Sequence, residues 1–504
     1  MKGVPLKRWG IGLTILLEKT KGNNHIHKMR AICLLEADFN FFNKTVYARR
    51  MMRSSQDKGQ IPMECFARKG SNCVQAVMTK VMFCDKSRTH HHPTCIGGND
   101  FGNCYNRIAH PPASIALQSW GVSRESVRLI LIAMQTMQFY LRTGYGESTS
   151  TYGGSEEDTQ LGLGQGNAAA GPGFMAVSAQ IVNAYLRDGN GARTVTSYTN
   201  RPVSLAAVIY VDDSDLIHMT NHVTVPTKEL IRHAQESTNA WGGLAIATGA
   251  ALKPEKCFAY FLTYKYSGGR PSMGTTCNLR APTAMIPTTD APPRPSPIRV
   301  PLPDGSSAPI PTIPPKEAML MLGIWFGPSS RGTKHRKEMC QKGIIWTDKL
   351  HSRPLPPSEA WISFTHQLCP GMLWGIATVV LSQHEFHDAT RPVYFRCLPF
   401  LGVQRHIELP WRTLPEMYQG IGLPNFALLS LAAKLQLIQC SCGYGDAASL
   451  SLAMGYETFV MEIGMYGNTL GYNYKKYSPL ATDGTWFKNI WELMNDFDVM
   501  ATFN

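Results

Sequence analysis

Residues 208–218, VIYVDDSDLIH, place two adjacent carboxylates between two apolar runs. VIYV is too short and too rich in β-branched side chains for a helix, and LIHM follows as its return partner. The segment therefore predicts a β-hairpin with a turn at Asp212 to Asp215. Two carboxylates in a tight turn repel each other unless a cation neutralises them. The segment alone leaves two interpretations open, an ordinary polar turn and part of a metal site.

A third carboxylate favours the metal site. Asp100, in GGNDFGNCYNRIAH, lies 112 residues before Asp212, at the end of a possible strand and just before a helix. If the two strands pair, Asp100, Asp212 and Asp213 meet at one end of the sheet, where they could hold two divalent cations about 3.5–4 Å apart. Such oxygen ligands select Mg²⁺ or Mn²⁺, and the ion pair suits phosphoryl transfer. Asp215, beyond the turn, is expected to be solvated or to support the ligands from behind.

Length and charge set the broad class of the protein. A chain of 504 residues exceeds the roughly 250–300 at which one core stops growing, so at least two domains are expected. Lys and Arg number 49 against 36 Asp and Glu, which gives a net charge of +13 and favours a polyanionic partner. Thirteen scattered cysteines indicate reduced thiols, and no apolar run approaches the ~20 residues of a membrane span. We expect a soluble, intracellular protein without a membrane partner, either nuclear or cytoplasmic.

Hydrophobic spacing predicts an α+β sheet domain with helices on one face, followed by a mostly helical region. Ser123 is expected to be an N-cap, and Gly242 to end a helix. Residues 267–316 are so rich in proline that we expect a linker or surface excursion without regular structure. The predicted helices cover residues 110–120, 123–143, 173–186, 226–243, 338–352, 357–384, 427–440 and 447–466.

Several blocks resemble reverse transcriptases. YVDD at 210–213 resembles the signature of that family, and FARKGSNCVQAV, with Arg68, Lys69 and Gly70, resembles one of its fingers blocks. A preceding block, RAICLLEADFNFFNKTVYARR, is similar to the arginine-led fingers motif of non-LTR retrotransposon and group II intron enzymes. The positions of that block that match the motif are Arg30, Ile32, Leu34, Leu35, Asp38, Lys44 and Arg49.

Four further blocks follow in the order of the family. NDFGNCYNRIAH resembles the first catalytic block, with Tyr105 five residues after Asp100, and LGLGQGNAAAGP resembles the block with Gln165 and Gly166. ALKPEKCFAYF is similar to the block after the catalytic hairpin. EAMLMLGIWFG resembles the primer-grip turn, at Leu322 and Gly323. The resemblance covers about residues 8 to 330 and continues weakly beyond, and in type it is similar to protist retrotransposon-like enzymes.

The resemblance implies a right-hand polymerase fold. The implied divisions are fingers over 1–95, a palm with inserted fingers helices over 96–266, the proline-rich insertion or linker over 267–316, a primer-grip turn over 317–335, and a helical thumb or C-terminal region over 336–504.

The resemblance also implies roles for individual residues. Asp100, Asp212 and Asp213 would bind two Mg²⁺ or Mn²⁺ ions, and Lys256 would act as general acid, with Lys253 as an alternative. The ring of Tyr105 would exclude a 2′-hydroxyl and favour deoxynucleotides. The residues implied in binding the dNTP or the template are Arg30, Lys44, Arg68, Lys69, Tyr105, Gln165 and Gly166. Each of the basic residues could instead lie on a solvated face. The tryptophans of the helical region could belong to a thumb that tracks the minor groove of a template–primer duplex, or each could instead pack in a core.

The implied function is that of an RNA-directed DNA polymerase. Such an enzyme adds dNTPs to a primer 3′-hydroxyl on an RNA template, and the primer is DNA or RNA. Asn106, where the family usually carries a second Asp, and the weak strand residues Gly97 and Gly98 leave a catalytically decayed or domesticated RNA-binding remnant as an alternative. A templated RNA polymerase is the second alternative.

Overall fold

The structure is a computed structural model. It describes residues 3–19, 22–23, 25–26, 29–155, 159–188, 191–268, 270–274, 285–288, 291–295, 297–329, 332–441, 445–465 and 467–500. All the strands of the described chain lie in its first two thirds, where helices alternate with them, and its last third is helical, so the α+β class is confirmed. None of the helices in these ranges is long and apolar enough to cross a bilayer.

The strands of the described chain are β1 (Ile11–Glu18), β2 (Met29–Leu34), β3 (Thr94–Asp100), β4 (Gln138–Thr143), β5 (Gly146–Glu147), β6 (Ala192–Val195), β7 (Pro202–Leu205), β8 (Ala207–Tyr210), β9 (Asp213–Met219), β10 (Phe258–Leu262), β11 (Tyr264–Ser267), β12 (Arg270–Met273), β13 (Met285–Thr288), β14 (Ala291–Pro295), β15 (Arg299–Pro301), β16 (Ser307–Pro309), β17 (Thr312–Ile313), β18 (Met319–Met321) and β19 (Ile324–Phe326).

The α-helices of the same ranges are α1 (Ala37–Asn43), α2 (Met52–Asp57), α3 (Cys73–His90), α4 (Cys104–Arg107), α5 (His110–Ser119), α6 (Arg124–Thr136), α7 (Ala170–Arg187), α8 (Thr227–Ala247), α9 (Thr333–Ser352), α10 (Pro357–Ser363), α11 (Cys369–Leu373), α12 (Gln383–Cys397), α13 (Leu409–Thr413), α14 (Phe426–Ser441), α15 (Ala447–Ile463), α16 (Tyr474–Tyr477) and α17 (Trp486–Asp496). Lys44–Met51 and Phe364–Leu368 are π-helical.

A five-stranded sheet forms the centre of the molecule, in the order β17-β10-β3-β9-β8. β3 pairs antiparallel with β9 and with β10, and β8 and β9 form a hairpin. A second sheet, β2-β1-β4-β5, lies apart from it. The central sheet therefore places the end of β3 beside the start of β9.

Helices cover both faces of the central sheet, so the prediction of helices on one face is wrong. Alternate strand residues enter two different cores because successive side chains of a strand point to opposite faces. Ile217 packs in the core that contains α3 and the C-terminal helices, whereas Leu216 packs in the core that contains α5 to α8. Strands buried on both faces have continuous apolar runs, which is the pattern of VIYV and LIHM.

Several predicted helix bounds need correction. The helix that Ser123 caps ends at Thr136, and the following QFYLRT is β4, which adds to the edge of β1. Gly242 does not end α8, which continues to Ala247. A Cβ at Gly242 would lie 2.4 Å from Pro301 Cγ, so this glycine permits close packing inside the helix.

The proline-rich segment contains regular structure, contrary to expectation. β15 and β16 form a hairpin, and β17 pairs with β10 of the central sheet. Ile298, Val300 and Ile310 are buried in the core beside α8. Proline is tolerated in edge strands and at strand ends, because its missing N–H removes no hydrogen bond of the sheet there. β15, β16 and β17 are only two or three residues long. Part of the segment, including residues 275–284, lies outside the described residues.

The C-terminal region is helical as predicted. Trp346 is buried in the core, whereas 45% of Trp374 is exposed. The long predicted helix over 357–384 is broken, and Gly375, at φ +75°, separates α11 from the next turn. The cysteines of the described ranges form no disulfides, and most of them are buried.

Candidate active site

Three carboxylates meet at one end of the central sheet. β3 ends at Asp100, which lies opposite Asp213 in the antiparallel register with β9. Tyr210 also pairs with Asp213, so Val211 and Asp212 alone form the turn between β8 and β9. The predicted pairing of the two strands is confirmed. The predicted turn at Asp212 to Asp215 is wrong, since Asp213 and Asp215 belong to β9.

Val211 has a backbone conformation that β-branched residues rarely adopt. Its φ is +61°, while Asp212 has no positive φ. A two-residue hairpin loop with positive φ at its first position corresponds to a type II′ turn, which favours glycine there. The side chain of Val211 packs against the core that contains α5 to α8. The turn that carries Asp212 is therefore strained and held by its surroundings.

Burial and neighbouring carboxylates raise the pKa values of Asp212 and Asp213. Desolvation, followed by the charges of Asp212, Asp215 and Asp100, raises the pKa of Asp213 to about 6, and Lys80 opposes the shift. Desolvation and the charge of Asp100 also raise the pKa of Asp212, while a hydrogen bond with the Cys104 thiol lowers it. A cation placed among these groups would relieve both effects.

Lys256 contacts the site directly. Its Nζ lies 2.8 Å from Asp100 Oδ2, and this hydrogen bond is the main cause that raises the pKa of Lys256. Lys253, by contrast, donates its backbone N–H to the Asp100 carbonyl at 3.0 Å. Of the two candidate lysines, Lys256 is the one whose ammonium group faces the carboxylates.

The donor chemistry of the site fits a divalent cation. Within the described ranges, no three His, Cys, Asp or Glu side chains stand arranged around a common metal position. Lys256 engages one oxygen of Asp100, so an ion at that oxygen would have to displace the ammonium group. The carboxylate oxygens of Asp100, Asp212 and Asp213 are donors that Mg²⁺ or Mn²⁺ prefers. A bound cation would also offset the repulsion among these carboxylates.

Tyr105 lies in α4, close to Asp212. Burial, then the charges of Cys104 and Asp212, raises the pKa of its hydroxyl. Its ring packs edge-on against Phe174, with the centroids 6.0 Å apart. The Tyr105 carbonyl accepts a hydrogen bond from the N–H of Leu163 at 2.8 Å, which binds the glycine-rich loop to α4.

Gln165 is fixed from two sides by its backbone. Its N–H donates to Asn106 Oδ1 at 3.1 Å, and its carbonyl accepts from the N–H of Cys33 in β2 at 2.7 Å. A Cβ at Gly166 would lie 2.2 Å from the Cys33 carbonyl oxygen, so only glycine allows this approach. Asn106, which sequence alone marks as a departure, thus helps to position the loop.

Four basic residues were predicted to contact the triphosphate or the template, namely Arg30, Lys44, Arg68 and Lys69. Arg30 and Lys44 are exposed on the part of the molecule that carries β2 and α1. Arg68 forms an ion pair with Asp446 at 3.7 Å, and Lys69 is exposed beside it. In the described chain, none of the four bonds to the three aspartates. Their predicted contact with a triphosphate or template stays a prediction.

A basic cavity lies beside Arg68 and Lys69. Its volume is about 1010 Å³, and Arg49, Arg53 and Asp446 also line it. The cavity lies between the residues before α3 and the start of α15. Asp446, from the C-terminal region, therefore contributes to a surface that the family resemblance assigns to the fingers alone.

Leu322 and Gly323 form the tight turn between β18 and β19. Both have positive φ, +52° and +77°, as a type I′ turn requires. The Leu322 carbonyl accepts a hydrogen bond from Trp374 Nε1 at 3.3 Å. The predicted turn is therefore present, and the exposed Trp374 supports it.

Lys80 was not predicted as part of the site, and Asp215 was expected either to be solvated or to support the ligands from behind. Asp215 is 8% exposed and forms an ion pair with Lys80 of α3, so it is not solvated. Lys80 is wholly buried. A lysine inside the apolar run AVMTKVMF was a usable signal, because lysine is almost never fully buried without a partner.

Comparison with known proteins gives structural similarities alone. No family model and no curated protein matches the chain. The telomerase of Candida albicans with a TWJ fragment of telomeric RNA is similar over 95% of this chain and 64% of that one, with a TM-score of 0.39 and 10% identity. The apo telomerase of Candida tropicalis has a TM-score of 0.37 and 11% identity, over 90% of this chain and 70% of that one.

A viral polymerase is also similar. It is an insertion-loop deletion mutant of the RNA-dependent RNA polymerase of a human picobirnavirus, with a TM-score of 0.33 and 13% identity over 88% of this chain and 64% of that one. The chain thus spans less than two thirds of two of these three proteins. TM-scores below 0.5 do not establish a common fold, so these similarities assign no family to the chain.

Proposed function

We propose that the chain is a template-directed nucleic-acid polymerase of the reverse-transcriptase kind, which adds dNTPs to a primer 3′-hydroxyl on an RNA template. The observation that carries the proposal is the meeting of Asp100, at the end of β3, with Asp212 and Asp213 of the β8–β9 hairpin. The order of the sequence blocks supports a retrotransposon or group II intron type. The net charge of +13 suits nucleic-acid partners.

In this proposal each residue has a distinct task. Asp100, Asp212 and Asp213 would hold two Mg²⁺ or Mn²⁺ ions, which would activate the 3′-hydroxyl and stabilise the leaving pyrophosphate. Lys256, already beside Asp100, would donate a proton to the pyrophosphate, and its raised pKa keeps the amine protonated at neutral pH. Tyr105, beside Asp212, would face the sugar of the incoming nucleotide.

Primer extension tests the proposal. The substrate is poly(rA)/oligo(dT) with Mg²⁺ or Mn²⁺, and the variant Asp212→Asn should lose about a thousandfold or more of the incorporation rate. Asp304→Asn is the matched control, because Asp304 lies in the exposed β15–β16 turn, where its side chain accepts hydrogen bonds from the neighbouring Ser306. Equal activity of Asp212→Asn and wild type would refute the mechanism. Template–primer binding without incorporation under either metal would favour the RNA-binding remnant.

Sugar selection separates the DNA and RNA polymerase alternatives. Wild type should prefer deoxynucleotides, and Tyr105→Ala should lower that preference about tenfold or more because the ring no longer excludes a 2′-hydroxyl. Tyr105→Phe keeps the ring and is expected to keep the preference. A wild-type preference for ribonucleotides would favour the templated RNA polymerase.

A further inference from the structure

Lys80 contacts two separate hairpins from within the core. It lies in α3, is 0% exposed, and its Nζ is 2.5 Å from Asp215 Oδ2 of β9. The same Nζ lies 2.9 Å from Met321 Sδ and 5.2 Å from the ring centroid of Phe326. Met321 ends β18 and Phe326 ends β19, so one ammonium group touches both the catalytic hairpin and the hairpin of the Leu322–Gly323 turn.

Asp215 lies on the same strand face as Asp213. Side chains alternate along β9, so residues two apart share a face, roughly 6.6–6.8 Å apart along the strand. Ile217, the next residue on that face, packs in the core with α3. A shift of Asp215 relative to α3 would therefore be carried directly to Asp213.

Stability alone does not account for this ion pair. Removing two charges from water costs several kcal/mol per ion, and replacing a buried pair with apolar residues is often neutral or stabilising. An apolar contact has no preferred direction, whereas a carboxylate–ammonium pair fixes the geometry of both partners. The ion pair is therefore suited to fixing the position of Asp215 relative to Lys80.

We infer that Lys80 is a positioning residue, whose buried ammonium group fixes the β8–β9 hairpin relative to the β18–β19 hairpin. This inference rests on the proposed function, in which the relative position of the two hairpins sets where the primer end lies with respect to Asp100, Asp212 and Asp213. The contact of Trp374 Nε1 with the Leu322 carbonyl, at 3.3 Å, supports the second hairpin from its other side.

The test uses the full chain and three variants. Lys80→Met leaves Asp215 buried without its partner, whereas Lys80→Met/Asp215→Leu removes both charges and should regain most of the Tm that the single variant loses. Arg88→Met is the matched control. Arg88 lies two turns further along α3 and pairs with Asp85 at 2.6 Å, but it bonds to the carbonyls of Ser329, Asp483 and Gly484 and to neither hairpin.

Hydrogen exchange gives a result that needs no polymerase activity. In the double variant, amides of both hairpins, 207–219 and 319–326, should exchange faster than in wild type, while Arg88→Met leaves both unchanged. Wild-type protection of either hairpin in the double variant would overturn the inference. This measurement stays decisive even if the wild-type protein incorporates no nucleotide.

Kinetics supply the second readout once wild type is active. With its Tm regained, the double variant should lose about a hundredfold in kcat, with a smaller change in the KM for dNTP, because misplaced reacting groups slow the chemical step. Wild-type kcat in the double variant would also overturn the inference. A residue with a merely structural role would regain kcat together with Tm.

Discussion

Val211 stores strain at the turn that carries Asp212. A positive φ costs a β-branched residue about 1–2 kcal/mol, and the flanking pairs of β8 and β9 and the packing of the side chain hold it there. Strain of this kind persists only where the surroundings determine the conformation. At this position it restricts the directions that the Asp212 carboxylate can take.

Val211→Gly should be tolerated by the fold. Relief of strain offsets the lost packing and the greater freedom of glycine in the unfolded chain, so the free energy of unfolding should stay within about 1 kcal/mol of wild type. Val208→Gly, in ordinary strand conformation and 2% exposed, should cost about 3 kcal/mol. Urea unfolding of both variants measures the difference, and equal losses would show that Val211 is not strained.

The sequence was sufficient to predict which carboxylates meet, but it was insufficient to predict the buried contacts that hold them in place. The meeting of Asp100, Asp212 and Asp213 was predictable from the apolar run before the adjacent aspartates and from the possible strand that ends at Asp100, whereas Lys256 was implied only by the family resemblance. For Asp215 the sequence left solvent exposure and a supporting role both open, because its burial depends on where the turn ends. A turn over four residues would leave Asp215 in solvent, whereas the observed two-residue turn moves it into β9, opposite Gly98.

At the scale of elements, the 161–167 loop joins the two sheets of the molecule. Its backbone bonds to α4 through Tyr105 and Asn106, and to β2 through Cys33. β2 belongs to the second sheet, so the loop is a direct connection from that sheet to the site.

Gly166→Ala should break this connection. Gly166 has φ +113°, and a Cβ would lie 2.2 Å from the carbonyl oxygen of the buried Cys33, which cannot move freely. We expect a loss of about 2 kcal/mol or more in stability and reduced primer extension. Gly171→Ala is the control, since no atom lies within 4 Å of its Cβ position at the start of α7 and the change should stabilise the helix by about 0.5–1 kcal/mol. Equal thermal stability of the two variants would contradict the prediction.

Elements with strong local signals were predictable, and those defined by tertiary partners were not. α5 follows from the two prolines at its start, and α7 follows from a long run of small and apolar residues. QFYLRT continues the apolar content of α6, and only the free edge of β1 makes it a strand. The short strands after residue 298 exist because β10 and α8 bury their apolar residues, which proline content alone does not reveal.

At the scale of the whole molecule, α3 connects the parts of the chain. It is buried along most of its length, and it packs against β8, α15 and α17. The capping box of Asn72 and Gln75 fixes its start. Lys80 and Arg88 on this one helix reach the β8–β9 hairpin and the C-terminal segment, so displacement of α3 would affect both.

Two buried histidines should make the molecule sensitive to acid. His218 in β9 and His335 in α9 are 8% and 7% exposed, and burial lowers the pKa of each to about 4. Within the described chain, His218 Nε2 and His335 Nδ1 have no hydrogen-bond partner, so protonation in the folded state gains no new bond.

Stability should therefore fall as the pH falls from about 6.5 to about 4, because in that window the unfolded chain binds protons that the folded chain does not. Above about pH 6.5 the two histidines are neutral in both states and add no pH dependence. Each should contribute on the order of 2–3 kcal/mol at the acid end. His335→Leu should flatten the decline measured by urea unfolding at about pH 7 and about pH 5, whereas His384→Gln, at a side chain that is 83% exposed, should leave it unchanged. An unchanged decline in His335→Leu would show that the cause lies elsewhere.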